Sequence, residues 1–210
     1  MPILAKICGL TRPEDAAAAV RHGATWLGVI FAGGPRLVSP ARAREIVRAA
    51  GQVPVIGVFG SQGREEILQV RDQAGLSGAQ LHGEAPACLV ASLRDEGLIV
   101  LPVVRVASIA DLALLDPYLG LECPVLVEPR IEGRLGGTGV ALPFDVARHA
   151  RVRLTGRTMV LAGGLTPETV AEAIRVVQPE MVDVSSGVEQ IPGIKDHQRM
   201  ARFLEVCHCL

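Results

Sequence analysis

Short apolar runs alternate with longer amphipathic or alanine-rich stretches along the whole chain. Ile3–Cys8 reads as a strand and Gly9-Leu10-Thr11 as the turn after it. Thr11 to Glu14 has the spacing of a capping box that opens an alanine-rich helix running to about His22, with Gly23 ending it. Trp26–Phe31 is a second strand. Ser39-Pro40 supplies an N-cap and a first-turn proline for a helix to Gly51. Val53–Gly60 and a short run ending at Gln80–Gly83 read as strands three and four, with helices at Glu65–Ala74 and Pro86–Glu96. Leu98–Val106, Val125–Glu128, Met159–Gly163 and Met181–Ser185 complete the strands. Helices are expected at Ile109–Leu119, Phe144–Ala150, from a Thr166-Pro167 cap to Val177, and at Asp196–Val206. A long glycine-rich loop, Pro129 to Gly139, follows strand six.

Eight strand–helix pairs in order imply a parallel sheet, and in 210 residues they favour a closed single-domain (βα)8 TIM barrel over residues 1–210. A doubly wound open sheet is the competing architecture. Successive strand residues point to opposite faces, which adds a second argument. Ala5 and Ile7 oppose Lys6 and Cys8; Ala79 and Leu81 oppose Gln80 and His82. Val125 and Val127 oppose Leu126 and Glu128; Val182 and Val184 oppose Met181, Asp183 and Ser185. One parity is apolar throughout, as packing against outer helices requires. The other turns polar towards the C-terminal strand ends, where barrel sites lie. Lys6, Cys8, Gln80, His82, Glu128, Asp183 and Ser185 are therefore expected to converge at one mouth. Strands seven and eight end in Gly163-Gly164 and Ser185-Ser186-Gly187, small residues whose bare backbone N–H groups suit a phosphate.

Composition narrows the chemistry. Apolar residues make up 49% of the chain, enough for a filled barrel core, and the formal charge of −1 gives no case for nucleic acid or an anionic membrane. One Trp, one Tyr and four Phe leave little for base stacking. No apolar run is long enough for a membrane span, and the first residues lack a signal-peptide pattern. The cysteines, at 8, 88, 123, 207 and 209, suggest no disulfide framework, and a cytoplasmic protein is expected. Cys207-His208-Cys209 reads as a frayed terminus rather than a metal site. No metal spacing and no nucleotide-binding glycine motif is present, so neither metal nor cofactor is expected. A thiol and a carboxylate beside a phosphate cradle, with Arg36 as a fixed cation for a substrate carboxylate, suit proton transfer.

Several segments then point to a family. They are Lys6–Asp15 (KICGLTRPED), Pro35-Arg36 with Val38-Ser39-Pro40, Gln80–Gly83 (QLHG), Gly136–Gly139 (GGTG), Ala162–Leu165 (AGGL), Val182–Glu189 (VDVSSGVE) and Pro192–Asp196 (PGIKD). From about residue 3 to 205 this ordered set resembles phosphoribosylanthranilate isomerase of tryptophan biosynthesis. The resemblance implies a cofactor-free Amadori rearrangement of N-(5-phosphoribosyl)anthranilate to 1-(2-carboxyphenylamino)-1-deoxyribulose 5-phosphate. It makes Cys8 the general base, with a pKa lowered by Lys6 or by positive charge on the substrate. The family's general acid is an aspartate at the end of strand six; here that position is Glu128, with Glu132 a weaker candidate and a salt bridge to Arg130 the structural alternative. One added methylene displaces a carboxyl by roughly an ångström, a shift that can cost about a hundredfold in rate. Arg36 would meet the anthranilate carboxylate. Asp183 would bind sugar hydroxyls or pair with Lys6, and both can hold. Lys6, Gln80 and His82 would line the substrate's path, with structural hydrogen bonding the other reading for the last two. Gly163, Gly164, Ser185, Ser186 and Gly187 would hold the phosphate. The partner implied is the phosphosugar–anthranilate substrate, and the chain would act as a monomer or homodimer. An indole-glycerol-phosphate-synthase-type enzyme, a two-substrate isomerase and a non-catalytic phosphosugar binder are the rivals.

Overall fold

The computed structural model describes residues 3–83, 85–130 and 141–210. Eight parallel strands form a closed barrel in chain order: β1 (Leu4–Ile7), β2 (Trp26–Ile30), β3 (Val55–Phe59), β4 (Gly78–Leu81), β5 (Ile99–Val106), β6 (Val125–Pro129), β7 (Met159–Leu161) and β8 (Met181–Val184). β8 pairs back onto β1, with Lys6 beside Asp183, so the open-sheet alternative is excluded. The helices between them are α1 (Pro13–Arg21), α2 (Pro40–Ala50), α3 (Arg64–Ala74), α4 (Ala87–Asp95), α5 (Phe144–Arg153), α6 (Val170–Val177) and α7 (His197–His208). Among the described residues no helix is long and apolar enough to cross a membrane. The expected strand-six loop begins at Pro129, which instead ends β6, with Arg130 after it; the rest of that loop, including Glu132 and residues 136–139, lies outside the described residues.

The alternating strand pattern sorts into two cores, as parity requires. Ala5, Ile7, Ala79, Leu81, Val125, Val127, Val182 and Val184 pack outward in the layer shared with the helices. Leu101, Val103, Leu126, Val160, Ala162 and Met181 fill the barrel, with Trp26 against them. The barrel interior is therefore a packed floor beneath the polar mouth.

Four local expectations are corrected. Thr11 does not cap α1: its hydroxyl donates to the Gly193 carbonyl, and extended Arg12 precedes the helix with no side-chain cap. The segment Ile109–Tyr118 is a 3₁₀ helix rather than an α-helix. Its buried residues Leu112, Leu115 and Tyr118 recur every third position, which matches three residues per turn. The helix after strand seven begins at Val170, because Thr166 and Thr169 close a preceding turn in which the Thr166 hydroxyl accepts from the Glu168 N–H. The tail is not frayed either. α7 runs through Cys207, which is fully buried, and the Cys207 carbonyl accepts from the Ile3 N–H at 3.1 Å. An unexpected antiparallel hairpin, β9 (Glu189–Ile191) and β10 (Ile194–Lys195), precedes α7.

Candidate active site

Alternation along β1, β4 and β8 brings Lys6, Gln80 and Asp183 together inside the mouth. The Lys6 ammonium, fully buried, donates to Asp183 Oδ1 at 2.8 Å and to Gln80 Oε1 at 2.9 Å. Burial works against the charge on Lys6, but Asp183 outweighs it and raises the lysine above its ordinary value. A lysine so paired is a fixed cation and not a proton donor at neutral pH.

Cys8 follows Lys6 on the same parity and is buried. A Cβ on Gly28 of the neighbouring strand would fall 2.7 Å from the Cys8 sulfur and 3.2 Å from Lys6 Nζ, so glycine there is what leaves room for both side chains. Burial pushes the Cys8 thiol up; Lys6 opposes that rise and Asp183 reinforces it. Lys6 does pull the thiol down, as expected, but burial outweighs it, so the net displacement is upward rather than towards neutrality.

Glu128 sits near the end of β6, buried, with Arg105 of β5 beside it in register. Burial pushes its carboxyl up to about 7, with Arg105 pulling it back and Asp183 adding to the rise. His82 Nε2 lies 3.3 Å from Glu128 Oε1, near enough to interact but not aligned as a hydrogen bond. Burial, then the cations Arg105 and Lys6, hold His82 down to about 4, so the imidazole is neutral at pH 7. Arg130 pairs with Asp111 at 2.7 Å rather than with Glu128. Arg105 also donates to the His82 carbonyl at 3.3 Å. Arg105 shares the strand-five face of Leu101 and Val103, so its alternation along β5 already marks it as a residue of the mouth.

The two small-residue ends lie on adjacent strands, as β7 pairs with β8. Gly163 and Gly164 both adopt positive φ, 98° and 64°. A Cβ on Gly187 would fall 1.9 Å from the Leu165 carbonyl oxygen, so glycine lets the two loops touch. Ser185 follows β8, its hydroxyl buried, and Ser186 opens the short turn containing Gly187. Arg36 lies 13% exposed and grips Glu189 with two bonds, Nε to Oε1 at 2.8 Å and Nη2 to Oε2 at 2.7 Å.

Among the described residues, the buried side-chain polar atoms without a hydrogen-bond partner are His82 Nδ1, Glu128 Oε1 and Ser185 Oγ. Each belongs to a residue placed in the mouth by its strand parity. Such atoms cost folding free energy unless something satisfies them.

The sequence model of N-(5'phosphoribosyl)anthranilate (PRA) isomerase matches residues 5–206. The N-(5'-phosphoribosyl)anthranilate isomerase of Trichlorobacter lovleyi is 39% identical over 204 residues, covering 96% of each chain. Monomers generated from the dimeric phosphoribosylanthranilate isomerase of Thermotoga maritima superpose with a TM-score of 0.83 at 36% identity, covering 99% of this chain and 100% of that one. A phosphoribosyl anthranilate isomerase in complex with reduced 1-(o-carboxyphenylamino)-1-deoxyribulose 5-phosphate gives 0.84 at 35% identity, with the same coverage.

Proposed function

This chain belongs to the N-(5'-phosphoribosyl)anthranilate isomerase family and performs that isomerisation in tryptophan biosynthesis, and from that premise we propose how its own residues divide the chemistry. Glu128 is the general acid. A carboxyl pushed up to about 7 is protonated in about half of the molecules at neutral pH and can give that proton to the furanose ring oxygen. The C1–O bond breaks with its electron pair going to that oxygen, while the anilino nitrogen lone pair forms the C=N⁺ bond. Cys8, as thiolate, then removes the C2 proton. The C–H pair becomes the C1=C2 double bond, and the C=N electrons return to nitrogen. The enolamine tautomerises to the ketose as its hydroxyl proton leaves and C1 takes one up. The positive iminium beside Cys8 adds to the thiolate stabilisation from Lys6, which by itself does not offset burial.

Around these two groups, Asp183, oriented by Lys6, takes sugar hydroxyls, while Gln80 and His82 border the ring. Gly163, Gly164, Ser185, Ser186 and Gly187 take the phosphate, and Arg36 takes the anthranilate carboxylate. The chain acts in the cytoplasm as a monomer or homodimer. The observation that carries the assignment is the trio of unpartnered buried atoms on His82, Glu128 and Ser185, at the mouth and nowhere else among the described residues.

Turnover of the anthranilate adduct by the purified protein, without added metal or cofactor, is the test. Cys8→Ser and Glu128→Gln should each lower kcat by at least about a hundredfold, the usual scale of a lost acid or base. Robust turnover by either variant removes that residue from its role. A wild type that binds the reduced product analogue without turning over substrate would be a binding protein that has lost its chemistry.

A further inference from the structure

The segment Val188–Lys195 carries two charged residues that the chemistry above leaves unused, Glu189 and Lys195, and the side chains of both are buried. Lys195 is 1% exposed; its ammonium donates to Glu189 Oε1 at 2.9 Å and to the Ser185 carbonyl at 3.0 Å. Glu189, whose side chain is 4% exposed, also receives both bonds from Arg36. Burial alone would raise the Glu189 carboxyl, but Arg36 and Lys195 bring it below its ordinary value. Two cations thus share one anion. Burial pushes the Lys195 ammonium below its ordinary value, with Glu189 opposing, and the hydrogen bonds described for Arg36 use Nε and Nη2 and leave the Nη1 edge.

The hairpin that carries the pair is fixed on several sides. Thr11 donates to the Gly193 carbonyl, Lys195 N–H donates to Asp15 Oδ2 at 3.2 Å, and His197 Nε2 lies 2.8 Å from Asp15 Oδ1. Arg199 adds a bond from Nε to the Gly187 carbonyl at 3.1 Å. Stability alone does not account for the buried charges, because a buried ion pair is often no better than apolar packing of the same volume. What they do uniquely is set where Arg36 points and tie it to the end of β8.

We propose that Glu189 and Lys195 are positioning residues that hold Arg36 for the substrate's anthranilate carboxylate. Lys195 keeps Glu189 from neutralising Arg36 outright, and Glu189 denies the guanidinium its other rotamers. This rests on the assignment of Arg36 to the carboxylate.

Two ligands separate the ends of the site: the reduced product analogue, which carries the carboxyphenyl group, and ribose 5-phosphate, which lacks it. Glu189→Gln should weaken the analogue by about ten- to a hundredfold, the scale of a lost charge-assisted contact, and leave ribose 5-phosphate within about twofold. Lys195→Met, which keeps the volume of the stem, should produce the same selective loss, and Glu189→Asp should recover part of it. In turnover the loss should fall on KM more than on kcat. Thermal melting confirms that each variant is folded, and Lys195→Met serves if Glu189→Gln is not. Arg36→Lys is the control. If it weakens the analogue while the folded Glu189 and Lys195 variants bind both ligands as wild type, or lose both equally, the positioning role is overturned. If Arg36→Lys changes nothing, the carboxylate assignment fails and the proposal fails with it.

Discussion

Glu128 and His82 titrate in opposite senses, and the contrast has a consequence for stability. A carboxyl whose folded pKa stands above its unfolded value costs folding free energy once the pH passes the unfolded value, and the cost is complete above the folded one. For Glu128, raised from 4.5 to about 7, the window is pH 4.5 to 7 and the full cost is on the order of 3 kcal/mol. His82, lowered from 6.5 to about 4, acts the other way: stability is present above pH 6.5 and is lost as the pH falls towards 4. In the wild type the two slopes oppose one another. Glu128→Gln should therefore melt higher than wild type at pH 8 and lose that advantage as the pH falls to 5. Its stability should drop on acidification where the wild type stays flatter. Melting curves across this range check it, and parallel curves would mean that the Glu128 pKa is not raised. With the same substitution expected to lower kcat, the proposed role has the residue trade stability for an acid poised near neutrality.

Among the elements, the 3₁₀ segment Ile109–Tyr118 shows how burial selects a backbone. Its apolar residues repeat every three positions, Ser108 and Asp111 form a reciprocal cap, and Pro117 sits in its last turn. Tyr118 ends it with a buried hydroxyl that donates to the Ala85 carbonyl at 2.7 Å, which joins it to the loop before α4. Tyr118→Phe should cost about 1 to 3 kcal/mol, since it leaves a carbonyl without its donor, with kcat unchanged. Chemical denaturation reads the first, and a loss below about 0.5 kcal/mol would show that water replaces the hydroxyl. The hairpin β9–β10 left no periodic trace in the sequence. Its strands are two and three residues long, too short for a period to register, and its turn, Pro192-Gly193, is the only local mark.

The whole molecule makes the site by closing. Lys6, Gln80, Glu128 and Asp183 come from β1, β4, β6 and β8, and their side chains share a space because β8 returns to β1. Binding at the mouth therefore stabilises the closed barrel as a unit. The reduced product analogue at about a hundred times its Kd should add about 2.7 kcal/mol to unfolding and raise Tm by about 5 to 10 °C in a single transition. Calorimetry checks this. A second, unshifted transition would mean that part of the barrel unfolds without regard to the site.

The sequence by itself determined the eight repeats, the inward parity of Lys6, Cys8, Gln80, Glu128 and Asp183, and the small residues that end β7 and β8. These follow from local periods, two along a strand and about three and a half along a helix, which neighbouring residues express without help from the rest of the chain. Only the tertiary structure decided who meets whom. That Thr11 binds Gly193 instead of capping a helix, that Gly28 makes room for Cys8, that Lys6 gives its charge to Asp183, and that Arg36 is held by Glu189 and Lys195 all depend on contacts between residues far apart in sequence. The proton affinities of Cys8 and Glu128 belong to the same class. They are set by burial and by charges brought in from other strands, and burial exists only once the barrel has closed.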